Sequence, residues 1–117
     1  MAVKHVLVVE DDAAVAEALQ ELLRRSGLTA SAAGTTDEAE RIFRAIPVDA
    51  VLLDGTLGAE RLNSVHLLKR IRAGGFKGPV IAISGHDEHN DVLCRNGANL
   101  GILKIFCRQI VEAVKKF

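Results

Sequence analysis

Polar side chains that suit cation binding and group transfer follow four short apolar runs of this sequence. They are Glu10 and Asp11 after Val6–Val9, Asp54 after Ala50–Leu53, Ser84 after Val80–Ile83, and Lys104 after Gly101–Leu103. If the runs are parallel strands of one open sheet, these residues lie beyond the carboxyl ends of the strands, where such sheets bind their ligands. The spacing therefore predicts three carboxylates, one hydroxyl and one ammonium group on the same rim.

The predicted cluster has a definite chemistry. Neighbouring carboxylates repel one another and stay ionised by binding a cation, and hard oxygen ligands favour Mg²⁺. The Asp54 carboxylate could attack phosphorus to form an acyl phosphate, while the cation and Lys104 offset charge on the transferring group. The Ser84 hydroxyl could then donate a hydrogen bond to a phosphoryl oxygen. Each residue alone has an ordinary alternative, such as a turn at Asp54, so the inference depends on their combination.

Hydrophobic patterning predicts the elements that position these residues. The runs at 6–9, 50–53 and 80–83 are nearly continuous, as in strands buried on both faces of a parallel sheet. Leu28–Ala33 contains small and polar residues and predicts a weaker strand at an edge. Helical patterns fill the gaps between the strands. The order is therefore β-α repeated five times, which predicts a doubly wound α/β domain.

Several helix ends are also predicted. Asp12 is favoured as the N-cap of the first helix, and Gly27 stands just past its end. Thr35 with Glu38 forms a capping-box pattern for the second helix. Asp87 is expected to cap a short fourth helix.

Composition limits the possible functions. The 117 residues fit one domain, expected over 1–117 with no output domain, and 49% hydrophobic residues are typical of a folded chain. Lys+Arg and Asp+Glu both number 15, so we expect no direct nucleic-acid binding and no electrostatic membrane attachment. No apolar run approaches membrane-spanning length. The two cysteines, Cys94 and Cys107, are expected to be reduced thiols in the cytoplasm.

Over essentially its whole length the sequence resembles the receiver domain of bacterial response regulators. The motifs that carry the resemblance are VLVVEDD at Val6–Asp12, DAVLLD at Asp49–Asp54, PVIAIS at Pro79–Ser84 and GANLGILK at Gly97–Lys104. The resemblance implies a flavodoxin-like three-layer sandwich of five βα units with parallel strand order 2-1-3-4-5. It also implies a signalling domain rather than an enzyme.

The resemblance assigns roles to individual residues. Asp54 would accept the phosphoryl group of a sensor histidine kinase or phosphotransfer protein. Mg²⁺, for which Mn²⁺ can substitute, would be held by Asp11 and Asp54, by Glu10 through water, and by the backbone carbonyl of Thr56. Phosphate binding and switching would fall to Ser84, Gly85 and Lys104, and the lifetime of the acyl phosphate would depend on Thr56 and His86. Phosphorylation would switch the face formed by the fourth helix, the fifth strand and the fifth helix, and a downstream protein effector would respond. The domain would be a monomer or a weak homodimer.

Three departures from the family pattern concern the switch. Lys104 is followed by Ile105, where the family usually has proline, so we expect no cis peptide bond there. Gly101 stands where many members carry Tyr or Phe, whose rotamer reports phosphorylation. The interval from Ser84 to Lys104 is shorter than in many members, which predicts a short fourth helix. We therefore expect an active phosphoacceptor with an unusual readout.

Three alternatives stay open on the sequence alone. The changes at Gly101 and Ile105 leave open a phosphorylation-independent interaction module, a pseudo-receiver, although Asp54, Lys104 and the acidic pair are all present. The string Asp54-Gly55-Thr56 resembles the end of the nucleophile motif of haloacid-dehalogenase-type phosphohydrolases, although Leu52 stands where their nucleophile would be. His86 and His89 could bind zinc, although such a polar run is more often a solvated helix N-terminus.

Overall fold

Five strands and five helices alternate in a computed structural model, which describes residues 3–57 and 62–117. The strands are β1 His5–Val9, β2 Thr29–Ala33, β3 Ala50–Leu53, β4 Val80–Ala82 and β5 Leu100–Gly101. The helices are α1 Ala13–Arg25, α2 Thr36–Ala45, α3 Leu62–Ala73, α4 Asp87–Arg95 and α5 Cys107–Lys115. The predicted order of five βα units is confirmed.

The five strands form one parallel sheet in the order β2-β1-β3-β4-β5. Val9 pairs with Leu53, and Leu53 pairs with Ala82, so β1, β3 and β4 end level with one another. β2 lies at one edge and is only partly buried, as predicted. The residues after the three central strands therefore emerge side by side at the carboxyl end of the sheet.

Helices cover both faces of the sheet, because alternate side chains of a strand point to opposite faces. Leu7 packs in one core with Leu68 of α3, and α2 and α4 contribute to the same core. Val8 packs in the other core with Leu19 of α1 and Ile110 of α5. Burial on both faces explains why the apolar runs are continuous. The sheet between its two layers of helices is the predicted three-layer sandwich.

The helix ends next to the rim follow the predicted caps. Asp12 Oδ1 accepts hydrogen bonds from two backbone N–H groups in the first turn of α1, at 3.0 and 3.2 Å. Thr35 Oγ1 accepts from the N–H of Glu38 at 3.1 Å. At the other end of α1, away from the rim, Gly27 has a φ of +88°, as its predicted position just past the helix requires. The carboxylate of Asp12 is thus occupied at the start of α1, directly beside the acidic pair.

Two local predictions were wrong. The fifth strand is Leu100–Gly101 rather than a segment at 101–103, and its two residues pair with Ile81 and Ala82 at the end of β4. Asp87 is the first residue of α4 and not its cap. His86 has the extended cap conformation, with φ −129° and ψ 128°, and makes no side-chain capping hydrogen bond. Asp87 in the first turn still suits the helix dipole.

None of the helices in the described part of the chain is long and apolar enough to span a membrane.

Candidate functional site

Three carboxylates meet at the carboxyl end of the sheet. Glu10 and Asp11 follow β1 and Asp54 follows β3, and one oxygen of each lies within 4.8 Å of the others. Backbone hydrogen bonds hold the strand ends in place, since the N–H of Asp54 donates to the Val9 carbonyl at 3.0 Å. Among the described residues this is the only group of three or more His, Cys, Asp or Glu side chains arranged to hold a metal ion.

The donor set fits a hard divalent cation. Glu10 is 2% exposed and Asp54 is 1% exposed, whereas Asp11 is exposed to solvent. The Oε2 atom of Glu10 is buried and has no hydrogen-bond partner among the described residues. A buried carboxylate oxygen without a partner is costly unless a cation or water satisfies it. Oxygen ligands alone, with one side open to solvent, are what Mg²⁺ requires.

Lys104 follows the edge strand β5 and completes the charged part of the rim. Its Nζ lies 2.5 Å from Glu10 Oε1 and 3.4 Å from Asp54 Oδ2. Backbone pairing brings it there, since the N–H of Lys104 donates to the Ser84 carbonyl at 3.1 Å. The predicted convergence of the three carboxylates and the Lys104 ammonium group is confirmed.

The carboxyls are not fully compensated by one ammonium group. Burial and the neighbouring Asp54 carboxyl raise the pKa of Glu10 from 4.5 to about 8, while Lys104 acts in the opposite direction. Burial would lower the pKa of Lys104, but its contacts with Glu10 and Asp54 outweigh burial and raise it. The first shift favours a neutral Glu10 and the second a charged one. Burial dominates at Glu10, because one cation shared by two buried carboxyls cannot offset the desolvation of both.

Ser84 is buried at the end of β4 and is bonded to the start of α4. Its N–H donates to Asn90 Oδ1 at 2.8 Å, and its Oγ accepts from the N–H of His86 at 3.3 Å. Ser84 Oγ also lies 3.1 Å from His89 Nδ1, in a hydrogen bond whose direction depends on the ring tautomer. The solvated-terminus interpretation is therefore wrong for His89, which is half-buried.

The other predicted site residues lie around this rim. The N–H of Thr56 donates to Asp54 Oδ1 at 3.4 Å. Gly85 is exposed, and a Cβ there would meet nothing within 4 Å. His86 is exposed, with its ring centroid 5.2 Å from that of His89. The zinc alternative gains no support, because this histidine pair is not part of any three-ligand cluster among the described residues.

Sequence reasoning missed two supporting contacts of Asp54. Ser64 of α3 is fully buried, and its Oγ donates to the backbone carbonyl of Asp54 at 2.5 Å. Gly55 is needed because a Cβ there would lie 2.7 Å from His89 Cβ and 2.9 Å from Ser84 Cβ. The Asp-Gly pair was visible in the sequence, but nothing there indicated which side chains would meet it.

The departures near β5 also have a structural outcome. The described residues contain no cis peptide bond, so the peptide between Lys104 and Ile105 is trans, as expected. The fourth helix is short, at nine residues. A Cβ on Gly101 would lie 2.8 Å from Asn90 Cβ, so α4 approaches β5 too closely for an aromatic side chain there.

A five-stranded parallel sheet with carboxylates at the ends of two central strands and a lysine after the fifth strand defines a class of α/β domains with an acidic rim site. Residues 6–115 match the family model of the response regulator receiver domain. The chain therefore belongs to this family of two-component signalling domains, and the phosphohydrolase alternative is set aside.

Individual relatives agree with this membership. The transcriptional regulatory protein DltR of Streptococcus agalactiae is 33% identical over 97 residues, which are 83% of this chain and 42% of that protein. The chain thus spans less than half of the curated relatives that it matches. The crystal structure of the receiver domain of NtrX from Brucella abortus has a TM-score of 0.82 at 26% identity, covering 95% of this chain and 98% of that one. The response regulator TrrA of Thermotoga maritima, solved with Mg²⁺ and beryllium fluoride, has a TM-score of 0.85 at 25% identity, covering 97% of each chain.

Proposed function

We propose that this domain accepts a phosphoryl group on Asp54 from a phosphohistidine of a sensor histidine kinase or phosphotransfer protein. An Asp54 carboxylate oxygen attacks phosphorus, the bond from phosphorus to the donor nitrogen breaks, and its electron pair stays on the imidazole. The observation that carries this proposal is the meeting of three carboxylates within 4.8 Å beside the ammonium group of Lys104. The domain then acts as a signal carrier rather than as an enzyme.

The same residues would hold Mg²⁺. Asp11 and Asp54 would be its direct ligands, and Mg²⁺ held there would supply positive charge beside the transferring phosphoryl group. Glu10 would act through a bound water, and the backbone carbonyl of Thr56 would supply a further ligand. The unpartnered oxygen of Glu10 and the complex of TrrA with Mg²⁺ and beryllium fluoride support this assignment. Mn²⁺, which accepts the same oxygen ligands, is expected to substitute.

We further propose that the phosphorylated state is read by a protein effector or by an attached domain. The relative DltR is a transcriptional regulatory protein more than twice as long as the matched segment, which supports a readout outside the receiver fold. A cytoplasmic site of action is supported by Cys94 and Cys107, which are unpaired thiols.

Intact mass spectrometry after incubation with Mg²⁺ and a small-molecule phosphodonor tests the proposal. We expect one Mg²⁺-dependent, base-labile phosphoryl adduct in the wild-type domain and none in Asp54→Asn. A normal adduct is expected in the control Asp37→Asn, since Asp37 is exposed in the first turn of α2. Persistent labelling of Asp54→Asn would refute the assignment of the phosphoacceptor. A folded wild-type domain that is labelled neither by the phosphodonor nor by several histidine kinases would favour the pseudo-receiver module.

A further inference from the structure

His89 lies beside the predicted phosphoacceptor but has no part in the chemistry proposed above. Its Nδ1 is 3.1 Å from Ser84 Oγ. A Cβ added to Gly55, the residue after Asp54, would lie 2.7 Å from His89 Cβ and 3.2 Å from Ser84 Oγ. Only glycine leaves room for this approach. The His89 side chain is thus packed against the backbone that carries the phosphoacceptor.

Ser84 is held from three directions by residues at the start of α4. The His86 N–H donates to its Oγ, its own N–H donates to Asn90 Oδ1, and its Oγ is hydrogen-bonded to His89 Nδ1. Two of these partners are side chains of α4 itself. We refer to Ser84, His89 and Asn90 as the Ser84 cluster.

Asn90 connects the Ser84 cluster to β5. It is 3% exposed, and its Nδ2 has no hydrogen-bond partner among the described residues. The buried amide of Asn90 is therefore stabilised by the hydrogen bond that its Oδ1 accepts from the Ser84 N–H. A Cβ on Gly101 would lie 2.8 Å from Asn90 Cβ. The Asn90 side chain therefore occupies the space that a side chain at position 101 of β5 would need.

We propose that His89 and Asn90 hold Ser84 in the unphosphorylated domain and pass its movement directly to α4. This inference rests on the proposed function, since a phosphoryl group on Asp54 is what draws Ser84 away. The competition assigns His89 the tautomer that carries its proton on Nε2, so that Nδ1 accepts from the Ser84 hydroxyl. That hydroxyl carries one proton and cannot donate to His89 Nδ1 and to a phosphoryl oxygen at the same time. Phosphorylation therefore breaks the contact with His89 and releases the start of α4. His89 is a positioning residue that competes with the phosphoryl group for Ser84.

Binding of beryllium fluoride with Mg²⁺, measured by isothermal titration calorimetry, tests this competition without a kinase. His89→Ala removes the competing hydrogen bond, so we expect the variant to bind beryllium fluoride about fivefold more tightly than wild type. His89→Asn places an amide near the position of Nδ1 and should keep the wild-type affinity. His89→Gln places its amide near Nε2 and should behave like His89→Ala. His66→Ala, at an exposed site on α3, is the matched control and should match wild type.

A spectroscopic readout separates positioning from a merely structural role. In ¹⁵N-histidine NMR spectra of the wild-type domain, the Nδ1 signal of His89 should shift when beryllium fluoride and Mg²⁺ are added. The signals of His5 and His66, which lie away from Ser84, should stay unchanged.

The outcomes distinguish the two proposals. If the wild-type domain neither binds beryllium fluoride nor takes a phosphoryl group, the proposed function fails. If it does both, but His89→Ala has wild-type affinity and the His89 signal does not shift, the role of His89 is overturned and the phosphoacceptor stands. Should His89→Ala prove unfolded by circular dichroism, equal affinities of the Asn and Gln variants would overturn the role equally.

Discussion

The two halves of the rim are built by different kinds of contact. The acidic half consists of Glu10, Asp11 and Asp54, which follow the central strands β1 and β3. The α4 half consists of the Ser84 cluster and Gly101, which belongs to the two-residue edge strand β5, whose residues are both exposed.

Backbone pairing positions the acidic half, whereas side-chain hydrogen bonds join Ser84 to α4 in the other half. The N–H of Glu10 donates to the Ala33 carbonyl at 2.9 Å, and that of Asp54 donates to the Val9 carbonyl at 3.0 Å. Ser84, by contrast, is tied to α4 through the side chains of His89 and Asn90. A ladder between buried strands is costly to deform, while a few side-chain hydrogen bonds rearrange easily. The proposed phosphoryl transfer thus involves the half that is costly to deform, and the proposed readout involves the half that rearranges easily.

The largest expected effect is the loss of metal binding in Asp11→Ala. Changes in groups that only support metal ligands lower affinity by about 10- to 100-fold, so loss of a direct ligand should lower Mg²⁺ affinity at least about 100-fold. Asn90→Ala, in the α4 half, should leave the affinity within about threefold of wild type. Titration calorimetry measures the Mg²⁺ affinities of both variants. Equal losses of affinity would contradict the assignment of metal binding to the acidic half alone.

Gly101→Ala should destabilise the domain through a steric clash in the α4 half. The new Cβ would lie 2.8 Å from Asn90 Cβ, and overpacking of this kind costs about 1–3 kcal/mol of unfolding free energy. Gly85→Ala is the matched control, since a Cβ there meets nothing within 4 Å, and it should stay within about 0.5 kcal/mol of wild type. Urea unfolding followed by circular dichroism provides the values. Equal unfolding free energies of the two variants would mean that α4 can move away from β5 without a loss of stability.

The stability of the metal-free domain should fall as pH rises. The pKa of Glu10 is raised from 4.5 to about 8, so between these values the folded state keeps a proton that the unfolded chain has lost. The unfolding free energy then decreases with pH, by at most about 1.4 kcal/mol per pH unit. The same unfolding experiment in a chelator, repeated from pH 5 to 8, checks the slope.

Glu10→Gln is the control for this slope and should flatten it, because the amide does not titrate. Adding Mg²⁺ should oppose the wild-type decrease, since metal binding favours the ionised carboxyls. A stability that rises with pH in the chelator would contradict the raised pKa of Glu10.

Ser64→Ala should have the smallest effect. It removes the hydrogen bond that Ser64 Oγ donates to the Asp54 carbonyl and should lower the unfolding free energy by about 1 kcal/mol. Mg²⁺ affinity should change little, because the strand ladder still positions Asp54. A large loss of Mg²⁺ affinity would show that the Ser64 side chain, and not the strand ladder, holds Asp54 in position.

Much of the fold and the acidic half could be predicted from the sequence. Continuous apolar runs indicated buried parallel strands, and parallel strands that end level must bring Asp54 and Glu10 together. Asp12 and Thr35 were predicted as caps for a similar reason, since each acts on backbone groups two or three residues away. Local patterns and topology are sufficient for such features.

The α4 half depended on contacts that no local pattern encodes. The histidine at position 89 belonged to a polar run that suited solvent, and only the packing of α4 on β4 turned it toward Ser84. Ser64 lies ten positions from Asp54 in the sequence, and the fold brings the two into contact. The pairing of β5 with β4 is likewise a contact between separate segments, at Leu100 and Gly101. The sequence by itself determined which strands form and what chemistry follows them, because hydrophobic period and chain order are local properties. The tertiary structure alone decided which side chains share a hydrogen bond, because that depends on ångström-level approach between elements distant in sequence.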